Sequence, residues 1–401
     1  MKIVFVNRFF HPDQSATSQL ATALAFFFAS RGYEVQAITS RQLYGDSKAN
    51  LPSFETINNV GVRRAWSSRF GRYNILGRFV DYLTFYVSSG WSLYKMLRVG
   101  DVVIAKTDPP LLSVVSLVAA RLRGAAQINW IQDLFPEVAS NLGVWGVRFI
   151  EREIRRLRNK SLRGAKYNVV IGNQMAQRLC SQGISEKVIR VIPNWADGSR
   201  ITPVARESNV LVKEWDLQGR FIVCYSGNMG RAHEFHTITG AAELLKSEPN
   251  IVFVFIGDGV QRQPTEEAVK RRNLPNVIFK PYQPSERLAF SLGLADVHLI
   301  SLRPELEGLI VPSKFYGIAA AGKPTIYIGD QAGEIPELLR REGCGFVVPV
   351  GDEQRLAACI EEFYTNVSLK SQMGEKARTL FECYYDQTVA MAQWERLIAE
   401  T

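Results

Sequence analysis

The stretch Phe221-Ile222-Val223-Cys224-Tyr225-Ser226-Gly227-Asn228-Met229-Gly230-Arg231 decides the fold. Its first five residues are an unbroken apolar run that reads as a strand buried on both faces, and the glycines that follow mark a tight turn. A helix through 241–246 comes next, then the strand 251–256, ending in Gly257-Asp258-Gly259. Strand, glycine turn, helix and strand make a right-handed βαβ unit with a parallel sheet. Further strands are expected at 277–279, 297–300, 324–328 and 345–350.

The same pattern precedes it. Lys2-Ile3-Val4-Phe5-Val6 reads as a buried first strand, 17–31 repeats apolar residues at helical spacing, Gly32 stops that helix, and Glu34-Val35-Gln36-Ala37-Ile38-Thr39 is the next strand. A second unit runs through 101–105, 111–123 and 126–131. The chain is therefore α/β with two parallel-sheet domains, expected at 1–202 and 203–383, and 384–401 is expected to pack back on the first. The polar segment 197–219 reads as the linker. Open parallel sheets place ligands at the carboxyl ends of their strands.

With 401 residues, 46% hydrophobic and 22% charged, the chain has ample material for such cores. Five scattered cysteines without a C-x-x-C pair encode neither a disulfide framework nor a zinc site, which fits a reducing cytoplasm. The apolar run at the N-terminus is too short for a signal peptide core, and the stretch 82–94 is too short to span a membrane. Residues 1–200 carry 27 Lys+Arg against 13 Asp+Glu, or +14; residues 201–401 carry 21 against 26, or −5, together the net +9. That asymmetry calls for an anionic partner of the first half: lipid headgroups, nucleic acid or a phosphorylated substrate.

The loops narrow the chemistry. The first strand is followed by Asn7-Arg8-Phe9-Phe10-His11-Pro12-Asp13 and not by G-x-G-x-x-G, which disfavours NAD. Gly317 and Gly322-Lys323 have P-loop spacing, but Pro324 stands where a magnesium-binding hydroxyl belongs. In Ser226-Gly227-Asn228-Met229-Gly230-Arg231 the glycines admit a close backbone approach, and Arg231 offers a forked donor for phosphate. In Glu305-Leu306-Glu307-Gly308-Leu309-Ile310-Val311-Pro312-Ser313-Lys314, Pro312 suits the first turn of a helix. Lys314 there opposes the helix dipole in water, and a residue placed against local preference points to an anion.

The two repeats, the Tyr225–Arg231 loop, Val254-Phe255-Ile256-Gly257-Asp258-Gly259 and Val311-Pro312-Ser313-Lys314…Ala320-Ala321-Gly322-Lys323-Pro324 resemble family-four retaining glycosyltransferases of the GT-B fold, two Rossmann-like domains facing a central cleft. Trp130-Ile131-Gln132-Asp133-Leu134-Phe135-Pro136-Glu137 resembles the branch that builds bacterial surface polysaccharides of the O-antigen and colanic acid type. The resemblance implies a UDP or GDP sugar held by the second domain. Gly227, Asn228 and Arg231 would approach the diphosphate and Lys314 would neutralise it. The backbone at Glu307, Gly308, Leu309, Ile310 and Val311 would contact sugar and phosphate, with Glu307 among the catalytic groups. Tyr282 and Gln283 would meet the nucleobase, Ser15 in the loop 13–17 would near the donor phosphate, and Asp133 would serve the acceptor side or act as general base.

Two positions depart from that family's pattern: Gly317 stands where the ribose-binding carboxylate is usual, and His233-Glu234 where a Lys-Gly pair is common. Arg231 and Lys314 would then carry most of the diphosphate charge. Fixed donors aimed at a departing nucleoside diphosphate are usually the largest catalytic contribution. No D-x-D motif occurs, so no metal or other cofactor is expected.

An acceptor on a polyprenyl diphosphate would need docking at the cytoplasmic face of the inner membrane. Residues 147–166 form a basic amphipathic helix that includes Arg155, Arg156 and Arg158, with Val147, Ile150, Ile154 and Leu157 at helical spacing. Upstream, Arg63, Arg64, Trp66, Arg69, Phe70, Arg72, Tyr73, Arg78 and Phe79 interleave arginine with aromatics. His11 in the first loop is a candidate acceptor contact, and His233 and His236 are a helix start or ligand neighbours, not a metal site. The alternatives are a nucleotide-sugar epimerase of the same fold and a non-catalytic membrane or nucleic-acid binding module; nucleic acid is not the expected partner.

Overall fold

The computed structural model describes residues 1–46, 48–70, 75–144 and 146–401. Two compact units result: 1–192 with 391–401, and 193–390. The divide falls at 192/193, not 202/203, and the returning segment begins at 391, not 384.

In the first unit the strands are β1 (Lys2–Val6), β2 (Glu34–Ser40), β3 (Phe54–Ile57), β4 (Val60–Ala65), β5 (Val102–Lys106), β6 (Ala126–Ile131), β7 (Tyr167–Val170) and β8 (Ile189–Val191), in the order β3-β4-β2-β1-β5-β6-β7-β8. All neighbours are parallel except β3 and β4, an antiparallel hairpin turned by Asn58 and Asn59 at φ 47° and 63°. Asparagine tolerates that left-handed backbone, so the hairpin closes in two residues. The central strands β1 and β5 are buried along almost their whole length, as expected where helices cover both faces of a parallel sheet. The returning helix brings Trp394 against Trp130 of β6, ring centroids 4.8 Å apart.

The second unit contains β9 (Phe221–Ser226), β10 (Ile251–Ile256), β11 (Val277–Lys280), β12 (Val297–Ser301), β13 (Thr325–Ile328) and β14 (Gly345–Val348), all parallel in the order β11-β10-β9-β12-β13-β14. Side chains alternate across the sheet: Phe253 and Phe255 join the core on one face, while Val252, Val254 and Ile256 join that on the other. Each fully buried side chain of this size contributes about 1.5–3 kcal/mol.

The expected linker 197–219 is a packed part of this unit. Leu211, Val212 and Leu217 insert among Ile222, Cys224 and Val254, Asn209 caps the helix Val210–Glu214 by accepting from the Leu211 amide, and Arg206 pairs with Asp296 at 2.7 Å. Strand order reverses between β1 and β5 in the first unit and between β9 and β12 in the second, and in open parallel sheets that reversal is where ligands bind.

Candidate active site

In the second unit the reversal brings together the loop after β9, Gly227–Arg231, and the segment from β12 to the helix Lys314–Ala320. The Lys314 ammonium crosses between them. It donates to the Tyr225 hydroxyl, lies 3.8 Å from that ring's centroid, and reaches the Asn228 carbonyl at 3.2 Å. Among the described residues no carboxylate pairs with it, and burial pushes its pKa well below the usual lysine range. A cation so placed is stabilised by an arriving anion.

His233 completes the group. Its Nδ1 donates to the Ser301 carbonyl at 2.5 Å, which leaves the Nε2 lone pair facing Lys314 Nζ at 3.4 Å. Burial, reinforced by Lys314, pushes its pKa down to about 3, so the ring is neutral. From sequence, position 233 is a departure from the family pattern and a helix start or ligand neighbour; no local signal shows that its ring meets a lysine far along the chain. His236 instead starts the helix His236–Leu244, exposed, with Glu353 at 3.4 Å.

Glycines let three loops close on one another. A Cβ at Gly227 would stand 2.7 Å from Lys314 Cε, one at Gly257 would stand 2.2 Å from the Gly227 carbonyl oxygen, and one at Gly259 would stand 2.6 Å from the Met229 carbonyl oxygen. Tyr282 lies at the same edge, exposed, its hydroxyl 3.5 Å from the Asp258 carbonyl. Gln283 is half-buried beside it, donating to the Pro281 carbonyl. Arg231 is exposed on the β9 loop.

Glu307 does not occupy the catalytic position expected of it. Its carboxylate is buried and accepts from the Tyr327 hydroxyl at 2.7 Å and the Glu334 amide at 3.1 Å, and burial raises its pKa. It fastens the loop to β13 and to the helix Glu334–Glu342. The expected backbone donors are also engaged: the Glu307 amide donates to Pro304, and those of Leu309 and Ile310 donate to Leu306. Gly308 adopts φ 71° and, like Leu309 and Val311, is buried, whereas Ile310 is half-buried. Gly317 points its missing side chain at Leu292 and Ile201, an apolar setting for a position where a carboxylate is usual.

In the first unit Asp133 follows β6. Burial, strengthened by Asp108, pushes its carboxyl up to about 6 against a hydrogen bond from Thr107 and the charge of Lys106. Asp133 and Lys106 line a cavity of about 30 Å³. Ser15 turns its hydroxyl back to the Asp13 carboxylate, which also accepts from the Ser15 and Tyr44 amides. That places a carboxylate, not a free hydroxyl, where a donor phosphate was expected. His11 is half-buried against Phe26, and its carbonyl accepts from Arg64 at 3.0 Å.

The helix Val147–Gly164 corrects one expectation. Arg158 is no surface contact: it is buried in a two-pronged pair with Glu137, at 2.6 and 3.0 Å, and its buried neighbours on the helix are Asn159, Ser161 and Leu162. Of the apolar residues at helical spacing, Ile150 and Leu157 are exposed alongside Phe149, while Val147 and Ile154 are half-buried. Arg155 and Arg156 stay at the surface, paired with Glu151 and Glu153. The helix Ile75–Met96 exposes Leu76, Phe79, Leu83, Val87 and Trp91 along one face, Val87 at 74% and Trp91 at 57%. Arg72 and Tyr73 lie outside the described residues.

The family model described as "Glycosyl transferases group 1" matches residues 211–380, and "Glycosyl transferase 4-like domain" matches 14–195. The chain is 28% identical over 303 residues to the probable glycosyltransferase WbjE of Pseudomonas aeruginosa, covering 75% of each. It is 24% identical over 350 residues to the putative colanic acid biosynthesis glycosyl transferase WcaI of Escherichia coli K12, covering 84% of this chain and 86% of the relative. Among solved structures, sucrose-phosphate synthase of Thermosynechococcus elongatus superposes with a TM-score of 0.78 at 17% identity, over 100% of this chain and 98% of that one. HepE of Anabaena in complex with UDP-glucose gives 0.73 at 15%, over 100% of both. The two parallel-sheet units and these matches agree: the chain belongs to the glycosyltransferases, with a 4-like first domain and a group 1 second domain on the GT-B fold.

Proposed function

We propose that the protein transfers a sugar, with retention, from a UDP or GDP sugar bound by the second unit to a lipid-linked saccharide engaged by the first, in the synthesis of a bacterial surface polysaccharide. The observation that carries this is the Lys314 ammonium, held by Tyr225 and Asn228 on a glycine loop with no carboxylate partner among the described residues. A nucleoside diphosphate supplies the missing negative charge, and Arg231 on the same loop is exposed and available to it. The UDP and UDP-glucose complexes of HepE and the polysaccharide role in the name of WcaI support the reading.

The acceptor hydroxyl oxygen approaches the anomeric carbon on the same face from which the diphosphate leaves, and its bond to that carbon forms as the bond to the diphosphate breaks, so the configuration is retained. The electron pair leaves with the nucleoside diphosphate, where Lys314 and Arg231 meet the developing charge. The hydroxyl proton passes to Asp133. In this reading the two basic side chains do the work a metal would otherwise do, so transfer persists in chelator.

Docking on the inner membrane uses the outward apolar residues of Ile75–Met96 and of Val147–Gly164, the latter set among Arg148, Arg152 and Arg156. Apolar side chains beside arginines suit an anionic lipid interface. No helix among the described residues is long and apolar enough to cross a membrane. The test is transfer of radiolabelled sugar from a panel of UDP and GDP sugars, in chelator, to lipid extracted from a strain that accumulates truncated lipid-linked saccharide. Labelled lipid product with one donor supports the reading; nucleotide-sugar turnover without lipid product in every arm contradicts it.

A further inference from the structure

Lys106 is the last residue of β5, after Val102-Val103-Ile104-Ala105, and it is buried. Its Nζ makes no hydrogen bond and lies 3.6 Å from the centroid of Trp130, its register partner on β6. Trp130 is in turn backed by Trp394. An ammonium in such a place is costly to retain, and cation–π attraction offsets only about 0.5–2 kcal/mol of that cost. Asp133, leaving β6, has a buried Oδ1 that likewise makes no hydrogen bond, and both residues line the same cavity with Ser113, Asn129 and Thr107. The cavity has room for about one oxygen atom of the size of water. The charged groups around it are Asp108 on the loop after β5 and Arg158, which is neutralised by Glu137.

We propose that Lys106 is a positioning residue for Asp133: its buried charge on the wall of the cavity that Asp133 also lines favours the ionised carboxylate there, where the oxygen of the acceptor hydroxyl is received. The inference rests on the reading of Asp133 as the group that takes the acceptor's proton. Lys106 itself exchanges no proton with substrate; the proton moves from the hydroxyl to Asp133 while the carbon–oxygen bonds exchange at the anomeric carbon. Desolvation drives Lys106 well below and Asp133 above their usual ranges, and each charge opposes the other's shift. Removing the lysine therefore raises the pH needed to ionise Asp133.

The experiment compares Lys106→Met, which keeps the length and removes the charge, with Lys106→Gln and Asp133→Asn. Transfer rates are read from pH 5 to 9, donor-nucleotide affinity by calorimetry, and folding by circular dichroism. The expected result is unchanged nucleotide affinity for all variants and an acid limb shifted upward by on the order of one pH unit in Lys106→Met, so that the rate falls about fivefold near pH 6 and recovers toward pH 8.5. Asp133→Asn stays slow at every pH. If Lys106→Met fails to fold, Lys106→Gln carries the same expectation. A Lys106 variant with a wild-type profile, or one slowed equally at all pH, while Asp133→Asn is inactive, overturns the role of Lys106 alone. Wild-type rates in Asp133→Asn overturn the reading of Asp133 beneath it.

Discussion

The Nζ of Lys314 stands over the ring of Tyr225 at 3.8 Å and donates to that residue's hydroxyl, tying the start of a helix to the end of β9. Everything around it accepts hydrogen bonds or is neutral: the Asn228 carbonyl, the His233 Nε2, the phenol oxygen. The lysine is oriented by these contacts without being neutralised by them.

Lys314→Ala is therefore expected to lower transfer by about 10²–10³, as for the loss of one donor to a developing anion. The fold should be retained, because no ion pair is broken. Rate assays with thermal denaturation as the control check this; wild-type turnover would exclude Lys314 from the donor site.

Gly257 permits a backbone approach that no side chain can share. Its φ is 138°, and a Cβ there would lie 2.2 Å from the carbonyl oxygen of Gly227, a backbone atom that cannot swing aside. Gly257→Ala should displace the β9 loop, costing on the order of 1–3 kcal/mol from the strained backbone and abolishing nucleotide binding. Urea unfolding and calorimetry read the two effects separately.

Arg155 and Arg156 against Arg158 make a contrast within one helix. Charge reversal at Arg155 and Arg156 touches exposed pairs worth about 0–1 kcal/mol, so stability should hold while binding to vesicles rich in anionic lipid drops. Arg158→Ala breaks a buried pair with Glu137 and should cost about 3–5 kcal/mol. Vesicle sedimentation and urea unfolding of both variants decide the matter; undiminished vesicle binding by the double reversal removes the membrane-docking role of this helix.

Acid should weaken the fold through its buried histidines. His298 donates from Nε2 to the Leu292 carbonyl, and burial pushes its pKa down to about 4; His233 falls to about 3. Between the unfolded value of 6.5 and these values, the unfolded chain binds protons that the folded chain refuses, so stability falls with pH across that window. Asp133, raised to about 6, acts in the opposite sense, being protonated in the folded state first. His298→Gln keeps the donor but cannot titrate, and should flatten the slope between pH 6 and 4.5 by about one proton, or about 1.4 kcal/mol per pH unit. Parallel slopes for wild type and variant would show that His298 is not held neutral.

The sheets were legible because central parallel strands are continuous apolar runs that need no knowledge of their neighbours: β10 falls at the expected 251–256, and β9 exceeds its expected span only by Ser226. Lys314 was legible because a lysine at a helix start contradicts local preference. Long-range pairings were hidden. Nothing near Arg158 announces Glu137, so Arg158 reads from sequence as a surface cation beside Arg155 and Arg156, and Leu211, Val212 and Leu217 are too few to outweigh the polar residues around them. Glu307 was read from the family pattern, whereas Tyr327 and Glu334, which claim its carboxylate, come 20 and 27 positions later. Lys106 carried one local sign, a charge ending an apolar strand, whose meaning depends on Trp130 and Asp133.

The central claim is that the β9 loop and Lys314 hold a nucleoside diphosphate. Calorimetric titration of the protein with UDP, GDP, ADP and CMP in chelator, repeated on Lys314→Ala, tests it most directly. The account predicts that UDP or GDP binds selectively without metal and that binding is lost in the variant. No binding by any diphosphate, or equal binding by wild type and variant, would contradict it.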